Sequence, residues 1–200
     1  MVEAMNHCVC IDYIIDHLTE PLSHKFIMQL HYLLMFGTVD HRKRQVTPGV
    51  YRDTGSVRRN RPMPAAEKIG DMLKKLIQSY ESRRDSDLED ILDFHVQFEQ
   101  IVPFDDGNGR VGRLLMFKEC VRHGVTPFII DDKRRSQYLD GIAKWTTNPL
   151  ILTKVVAEAQ ARFARQLRRE DRRDNPQARF RNYGSSEGES DIEEDNDENE

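Results

Sequence analysis

The sequence predicts a single all-α domain, and three observations lead there. Apolar residues recur with a helical period through most of the first 170 residues. No alternating strand pattern runs longer than a few residues. The breaks between periodic segments carry Pro, Gly or Ser where helices stop and start. Two hundred residues allow one core of ordinary size once the polar C-terminus is set aside, so a domain over residues 1–170 and a charged tail over 171–200 are expected.

Ile11, Ile14, Ile15 and Leu18 share a helical spacing and mark the first helix. Pro21 restarts the chain into a second, amphipathic through Phe26, Ile27, Leu30, Leu33 and Leu34, which Gly37 stops. Residues 38–62 hold Pro48, Gly49, Gly55 and several charges with weak periodicity, so they read as a long connection with room for a short β-hairpin. A third helix starts near Pro64 and packs through Ile69, Met72, Leu73, Leu76 and Ile77. Ser86 with Glu89 three positions on reads as a capping box for a fourth, whose buried face carries Leu88, Ile91, Leu92, Phe98 and Ile101.

Pro103 ends the fourth helix and opens the most informative stretch of the chain, Pro-Phe-Asp-Asp-Gly-Asn-Gly-Arg-Val-Gly-Arg from Pro103 to Arg113. A Gly107-Asn108-Gly109 turn reaches positive φ without steric cost, which lets successive backbone N–H groups converge on an anion. From Gly109 the pattern Val111, Leu114, Leu115, Phe117, Lys118 and Val121 is helical, so the positive end of a helix aims at the same point. Arg110 and Arg113 lie one turn apart and can present two guanidinium forks to phosphate oxygens. Asp106 supplies the hard oxygen that a phosphate-bridging Mg²⁺ takes. This helix runs to about His123, with Gly124 in the usual stop position. After the apolar link Phe128, Ile129 and Ile130, two further helices are expected, from Arg134 to Lys144 and from Leu150 to about Arg169, parted by Asn148 and Pro149.

The stretch from Phe94 to Leu115 resembles the signature of the Fic (Fido) family, which typically reads His-Pro-Phe-x-Asp/Glu-Gly-Asn-Gly-Arg-x-x-Arg. Many members transfer AMP from ATP to a hydroxyl of a target protein. The resemblance implies a helical bundle in which the signature joins two antiparallel core helices, ATP as a ligand with Mg²⁺ on Asp106, and a protein Ser, Thr or Tyr as acceptor. It assigns nucleotide contacts to Gly107, Asn108, Gly109, Arg110 and Arg113, with Asn108 and Arg110 at the reacting phosphate. At the first position the chain departs from the pattern: Val102 stands where the family places the histidine that takes the proton from the attacking hydroxyl. A positioned general base is worth ~10²–10⁴ in rate, so nucleotide binding is expected to outlive catalysis. Activity is expected to be weak or lost. The alternatives are a non-catalytic interaction module that keeps the fold, and transfer of another phosphate-containing group. Family members that act as kinases carry Lys where this chain has Gly109, which disfavours kinase chemistry.

Several neighbouring residues invite a second reading. His95, seven positions before Val102, is on the same face of the fourth helix and offers itself as a substitute base. Two helical turns span ~10 Å, and relatives that keep the motif histidine also carry a His here, so a structural role is expected. His123 is expected to cap a helix C-terminus. Asp105 is taken as variable and exposed, Phe104 as an apolar plug that seats the turn on the core, and Asn108 as holding its own turn, contacting phosphate, or both. The segment Val46 to Arg52 resembles the flap that holds a target peptide as an added strand. The Ser/Thr-x-x-x-Glu helix by which some relatives block the second motif arginine, here Arg113, has no clean copy; Ser190 to Glu194 has the spacing but continues into Asp195.

Charge and cysteine usage set the remaining bounds. Residues 185–200 carry nine acidic side chains and no basic one, against an Arg-rich run of Arg162, Arg165, Arg168, Arg169, Arg172 and Arg173 just before them. That run lacks interleaved aromatics and sits beside its own counterweight, so it reads as a solvated helix rather than a nucleic-acid surface. The tail has too little apolar content to fold and is expected to be disordered. Cys8, Cys10 and Cys120 show no zinc spacing and read as reduced thiols, with Cys120 a small core residue. No apolar run is long enough to span a bilayer and no signal-peptide layout is present, so a cytoplasmic or nuclear location without membrane attachment is expected. Truncation at Asn175 is expected to leave the melting temperature nearly unchanged while altering salt-sensitive association with basic partners. Ser186 and Ser190, each with an acidic residue three positions on, could add phosphate charge to the same field. A large drop in melting temperature on truncation would show instead that the tail docks on the domain.

Overall fold

Along the described residues, 2–53 and 63–174 of a computed structural model, eight α-helices follow one another. They are α1 (Val2–Asp16), α2 (His24–Met35), α3 (Val39–Arg42), α4 (Ile69–Glu81), α5 (Leu88–Ile101), α6 (Asn108–Arg122), α7 (Arg135–Ala143) and α8 (Leu150–Asp174). Single 3-10 turns, Ala66–Lys68 and Asp132–Arg134, lead into α4 and α7. No strand occurs among the described residues, and the protein is all-α.

Several of these elements begin where a side chain satisfies their first N–H groups. Ser23 caps α2, its Oγ accepting from the Phe26 N–H at 3.1 Å, and Asp131 does the same for the Asp132–Arg134 turn. The capping box of α5 lies one residue later than the sequence suggests. Asp87 is the N-cap and Asp90 its reciprocal partner, while Ser86 is buried with its N–H directed at His123 Nδ1, 3.4 Å away. Asp caps as well as Ser does, so local sequence left the two starts equivalent and the packing of Ser86 against the end of α6 selected one.

The core is built around α5 and α6, which pack on each other; α4 covers α5, and α2 and α1 cover α6. Phe98, Ile101, Val111 and Leu115 from the central pair meet Ile27, Leu30 and Leu34 of α2, all but shut off from solvent. On α1 the buried residues are Cys10 and Ile14, while Ile15, expected inside, is 60% exposed. Its neighbour Ile14 already faces α2, and adjacent positions on a helix point about 100° apart. Cys120 is a core residue as expected, and burial pushes its thiol up to about 12; all three cysteines are free. The Asn148-Pro149 break separates α7 from α8, which pack together. Helix α8 runs past Arg169 to Asp174, with Arg165, Arg168 and Arg169 exposed along it.

The described part of the connection after α2 contains no strand, and the rest of the span in which a hairpin was expected lies outside the described residues. Thr38 caps the short α3, accepting from the His41 N–H, and residues 46–53 are irregular, with a turn at Pro48-Gly49 closed by the Val50 N–H on the Thr47 carbonyl. The acidic tail with Ser186 and Ser190 also lies outside the described residues. Among the described residues no helix is long and apolar enough to cross a membrane.

Candidate nucleotide site

The site forms where α5 ends and α6 begins. Val102 closes α5 in the left-handed conformation, φ 50° and ψ 63°, and Gly107 precedes α6 in the same region at φ 79°. Gly107 adopts it freely; a β-branched residue does so under strain. Between these reversals, Phe104 is fully buried and stacks on His31 at 3.7 Å between ring centroids, the plug the sequence predicts. Asn108 holds the turn: its Oδ1 accepts from the Phe104 N–H at 2.9 Å and its Nδ2 donates to the Phe104 carbonyl at 2.7 Å. With both ends of its amide engaged and 2% exposure, the Asn108 side chain shapes the turn.

No side chain caps α6. Its first N–H groups therefore face outward along the axis, into a cleft of about 500 Å³. Asp106, Gly107, Asn108, Gly109, Arg110 and Arg113 all line this cleft, so the predicted nucleotide and metal residues converge. Across from them stand Asp132, Arg135 and Tyr138, and Ile130, Leu139 and Ile142 make its apolar end. Val102 is 8% exposed and is not among the lining residues. Arg110 bridges the rim, contacting Glu3 at 3.2 Å and Asp106 at 3.4 Å. Asp105, expected exposed, is half-buried.

Asp106 is a half-exposed carboxylate at the mouth, and among the described residues no group of three ligating side chains surrounds it. That donor set fits Mg²⁺, which takes one or two carboxylates and fills the rest of its shell with phosphate oxygens and water.

Four residues that sequence reading did not single out complete the site. His31, on α2, accepts from the Gly49 N–H at Nδ1 (2.9 Å) and donates from Nε2 to the Asp106 carbonyl (3.2 Å), pinning the turn to the 46–53 segment. Burial lowers its pKa to about 4, consistent with the neutral ring that this pairing needs. Arg52 is 2% exposed and clamps the same turn from the 46–53 segment, Nε to the Val102 carbonyl at 2.8 Å and its own N–H to the Pro103 carbonyl at 2.9 Å. Glu99 and Tyr138 line the wall beside Arg113. His95 is buried, bonded to the Tyr138 hydroxyl through Nε2, and packed beneath Gly112, where an added Cβ would lie 2.9 Å from its Cε1. Burial and then the Arg113 charge lower its pKa to about 4. His95 is thus a structural histidine that lets α5 and α6 approach, as expected, and is not exposed as a base. His123 is the C-cap of α6.

The helical bundle turns an uncapped helix N-terminus and two arginine side chains into one cleft, a surrounding of positive character. The Fic/DOC family model matches residues 21–120, half of the chain, and the protein belongs to that family. Over 44 residues it is 50% identical to the protein adenylyltransferase Fic of Drosophila grimshawi, a match that takes in 22% of this chain but only 9% of that relative. A Fic domain containing signaling protein from Bacteroides thetaiotaomicron shares the fold, with a TM-score of 0.67 and 20% identity over 83% of this chain and 69% of that one. The Bartonella tribocorum protein BepC, solved with bound AMPPNP, matches with a TM-score of 0.56 and 15% identity over 79% of this chain and 85% of that one.

Proposed function

We propose that this chain binds ATP with Mg²⁺ over the Gly107–Arg113 turn and is a weak or silent protein adenylyltransferase. The carrying observation is the open N-terminus of α6 facing the cleft that Arg110 and Arg113 line. The nucleotide phosphates accept from the first-turn N–H groups and from the two guanidinium forks, and Asp106 holds the metal, which neutralises phosphate charge when bound. The name of the Drosophila relative and the ATP analogue in the Bartonella structure support this reading. In AMP transfer, a protein hydroxyl attacks the α-phosphorus and pyrophosphate leaves. The hydroxyl proton needs an acceptor, and Val102 offers none.

Calorimetry with Mg-ATP is expected to give clear binding for wild type and a marked loss for Arg113→Ala; equal binding by both would sink the assignment. Incorporation of label from α-³²P-ATP into a lysate or into the protein itself separates the two functional readings. The missing base favours a second reading, a non-catalytic module that retains nucleotide or partner binding, for which binding without incorporation is the expected result.

A further inference from the structure

Helices α1 and α6 run side by side, and the contact between Glu3 and Arg110 at 3.2 Å sets their register. One turn on, His7 and Arg113 come to the same level, and a further turn on, Ile11 and Phe117 do. All four line a second cavity, of about 320 Å³, which shares Arg113 and Ile130 with the cleft at the start of α6. Phe128, after α6, and Phe163, on α8, complete an apolar wall. That wall is not closed over. Ile11, Phe117 and Phe128 are half-buried against the core, and Ile129 beside them is 65% exposed. Among the described residues that line the cavity no carboxylate occurs; His7 and Arg113 are its basic groups, and burial keeps Cys120 a neutral thiol. The cavity therefore has apolar walls and one basic end.

We propose that this cavity binds a small amphipathic anion, a free carboxylate on an alkyl chain of medium length, with the carboxylate between His7 and Arg113 and the chain along Ile11, Phe117, Phe128 and Phe163. The site is additional to nucleotide binding and does not depend on it. Its volume falls at the lower end of the ~300–1,000 Å³ typical of ligand cavities, which suits a single chain. A guanidinium fork matches a carboxylate in two-pronged fashion, and its five donors serve more than one neighbour. A neutral ligand of the same shape would shut the basic end away from water without a counter-charge, at a cost that apolar contact offsets poorly. The C-terminus of a protein would bring backbone N–H and C=O groups that these walls leave unpaired. Burial, and then the charges of Arg113 and Arg110, hold the pKa of His7 below its ordinary value. A carboxylate beside the ring reverses the electrostatic part, so the titration of His7 moves up when the ligand binds.

The test titrates the full chain by calorimetry with octanoate, octanol, acetate and a short peptide ending in leucine, and follows the His7 ring by NMR. Octanoate is expected to bind, to shift the resonances of His7 and of residues 127–130, and to raise the pH at which His7 titrates. Octanol is expected to bind about tenfold more weakly or worse, the size of one lost charge-assisted contact, and acetate not measurably. His7→Glu, a change at an exposed position, is expected to weaken octanoate by at least about tenfold with the melting temperature unchanged. Equal binding of octanol and octanoate would overturn the proposal by showing an apolar gap without a role for the basic end. Acetate binding as well as octanoate would place the anion on the arginines alone and overturn it too. So would binding of the peptide in preference to octanoate, which would make the occupant a protein chain, and so would no binding of octanoate by the wild-type chain. Binding of Mg-ATP is measured separately, and its outcome leaves this test unaffected.

Discussion

Val102→His is expected to raise AMP transfer to protein hydroxyls by ~10²-fold or more, within the range a positioned general base supplies. The backbone that would carry the base is already held in place. Position 102 sits in the left-handed region at the C-cap of α5, and Arg52 clamps its carbonyl at 2.8 Å. Valine is poorly suited to that conformation, where strain costs on the order of 1–3 kcal/mol, whereas histidine visits it more readily. The substitution is therefore also expected to raise the melting temperature, because it relieves strain at the turn. Label incorporation from α-³²P-ATP measures the first effect and calorimetric melting the second. A variant that binds nucleotide as before and transfers no more AMP than wild type would show that the absent base is not what limits the chemistry.

Lys118→Met carries the largest expected effect on stability, about 3–5 kcal/mol of destabilisation. Lys118 is fully buried on α6, its Nζ donating to the Glu20 carbonyl at 2.6 Å and to Glu119 Oε1 at 2.8 Å, and it lies 5.3 Å from the centroid of the Phe26 ring. Glu119, 1% exposed, also pairs with Arg122, which in turn holds Glu81 through both carboxylate oxygens at 2.8 and 2.9 Å. Burial works against the Glu81 charge, but the bonds from Arg122 and from the Leu22 N–H keep its pKa below the ordinary value. The network ties α6 to α4 and to the turn between α1 and α2. Removing the ammonium leaves the buried Glu119 carboxylate to Arg122 and the Glu20 carbonyl without its donor, the costly case of a buried pair broken from one side. Urea unfolding is expected to show a lower midpoint with an unchanged slope. The double change Lys118→Met with Glu119→Leu is expected to recover much of the loss, since an apolar pair leaves no charge stranded. A single variant within 0.5 kcal/mol of wild type would refute this account of the network.

The turn and its helix were legible because their information is local. Gly107, Asn108 and Gly109 specify backbone conformations within a few residues, and the pattern of apolar positions after them specifies which way the helix faces. Asn108 was read as able to hold its own turn for the same reason: its partner, Phe104, is four residues away. The offset at the start of α5 is the complementary case. Ser86 and Asp87 are equivalent caps in isolation, and a contact with His123, far along the chain, separated them.

What the sequence determined by itself is therefore the helical class, the order of the major helices, and the Gly107-Asn108-Gly109 turn that opens α6. All of these rest on interactions between near neighbours. Only the tertiary structure decided what surrounds that turn. His31 reaches it across 75 positions of sequence and Arg52 across 50, and no residue near either in sequence names its partner. Tyr138 comes to His95 from 43 positions away and Lys118 to Glu20 from 98, and both are hidden by the core they help to build. A buried polar group reveals its role only through its partner, because burial without one is too costly to persist. Chain folding brings that partner, and no local pattern announces it.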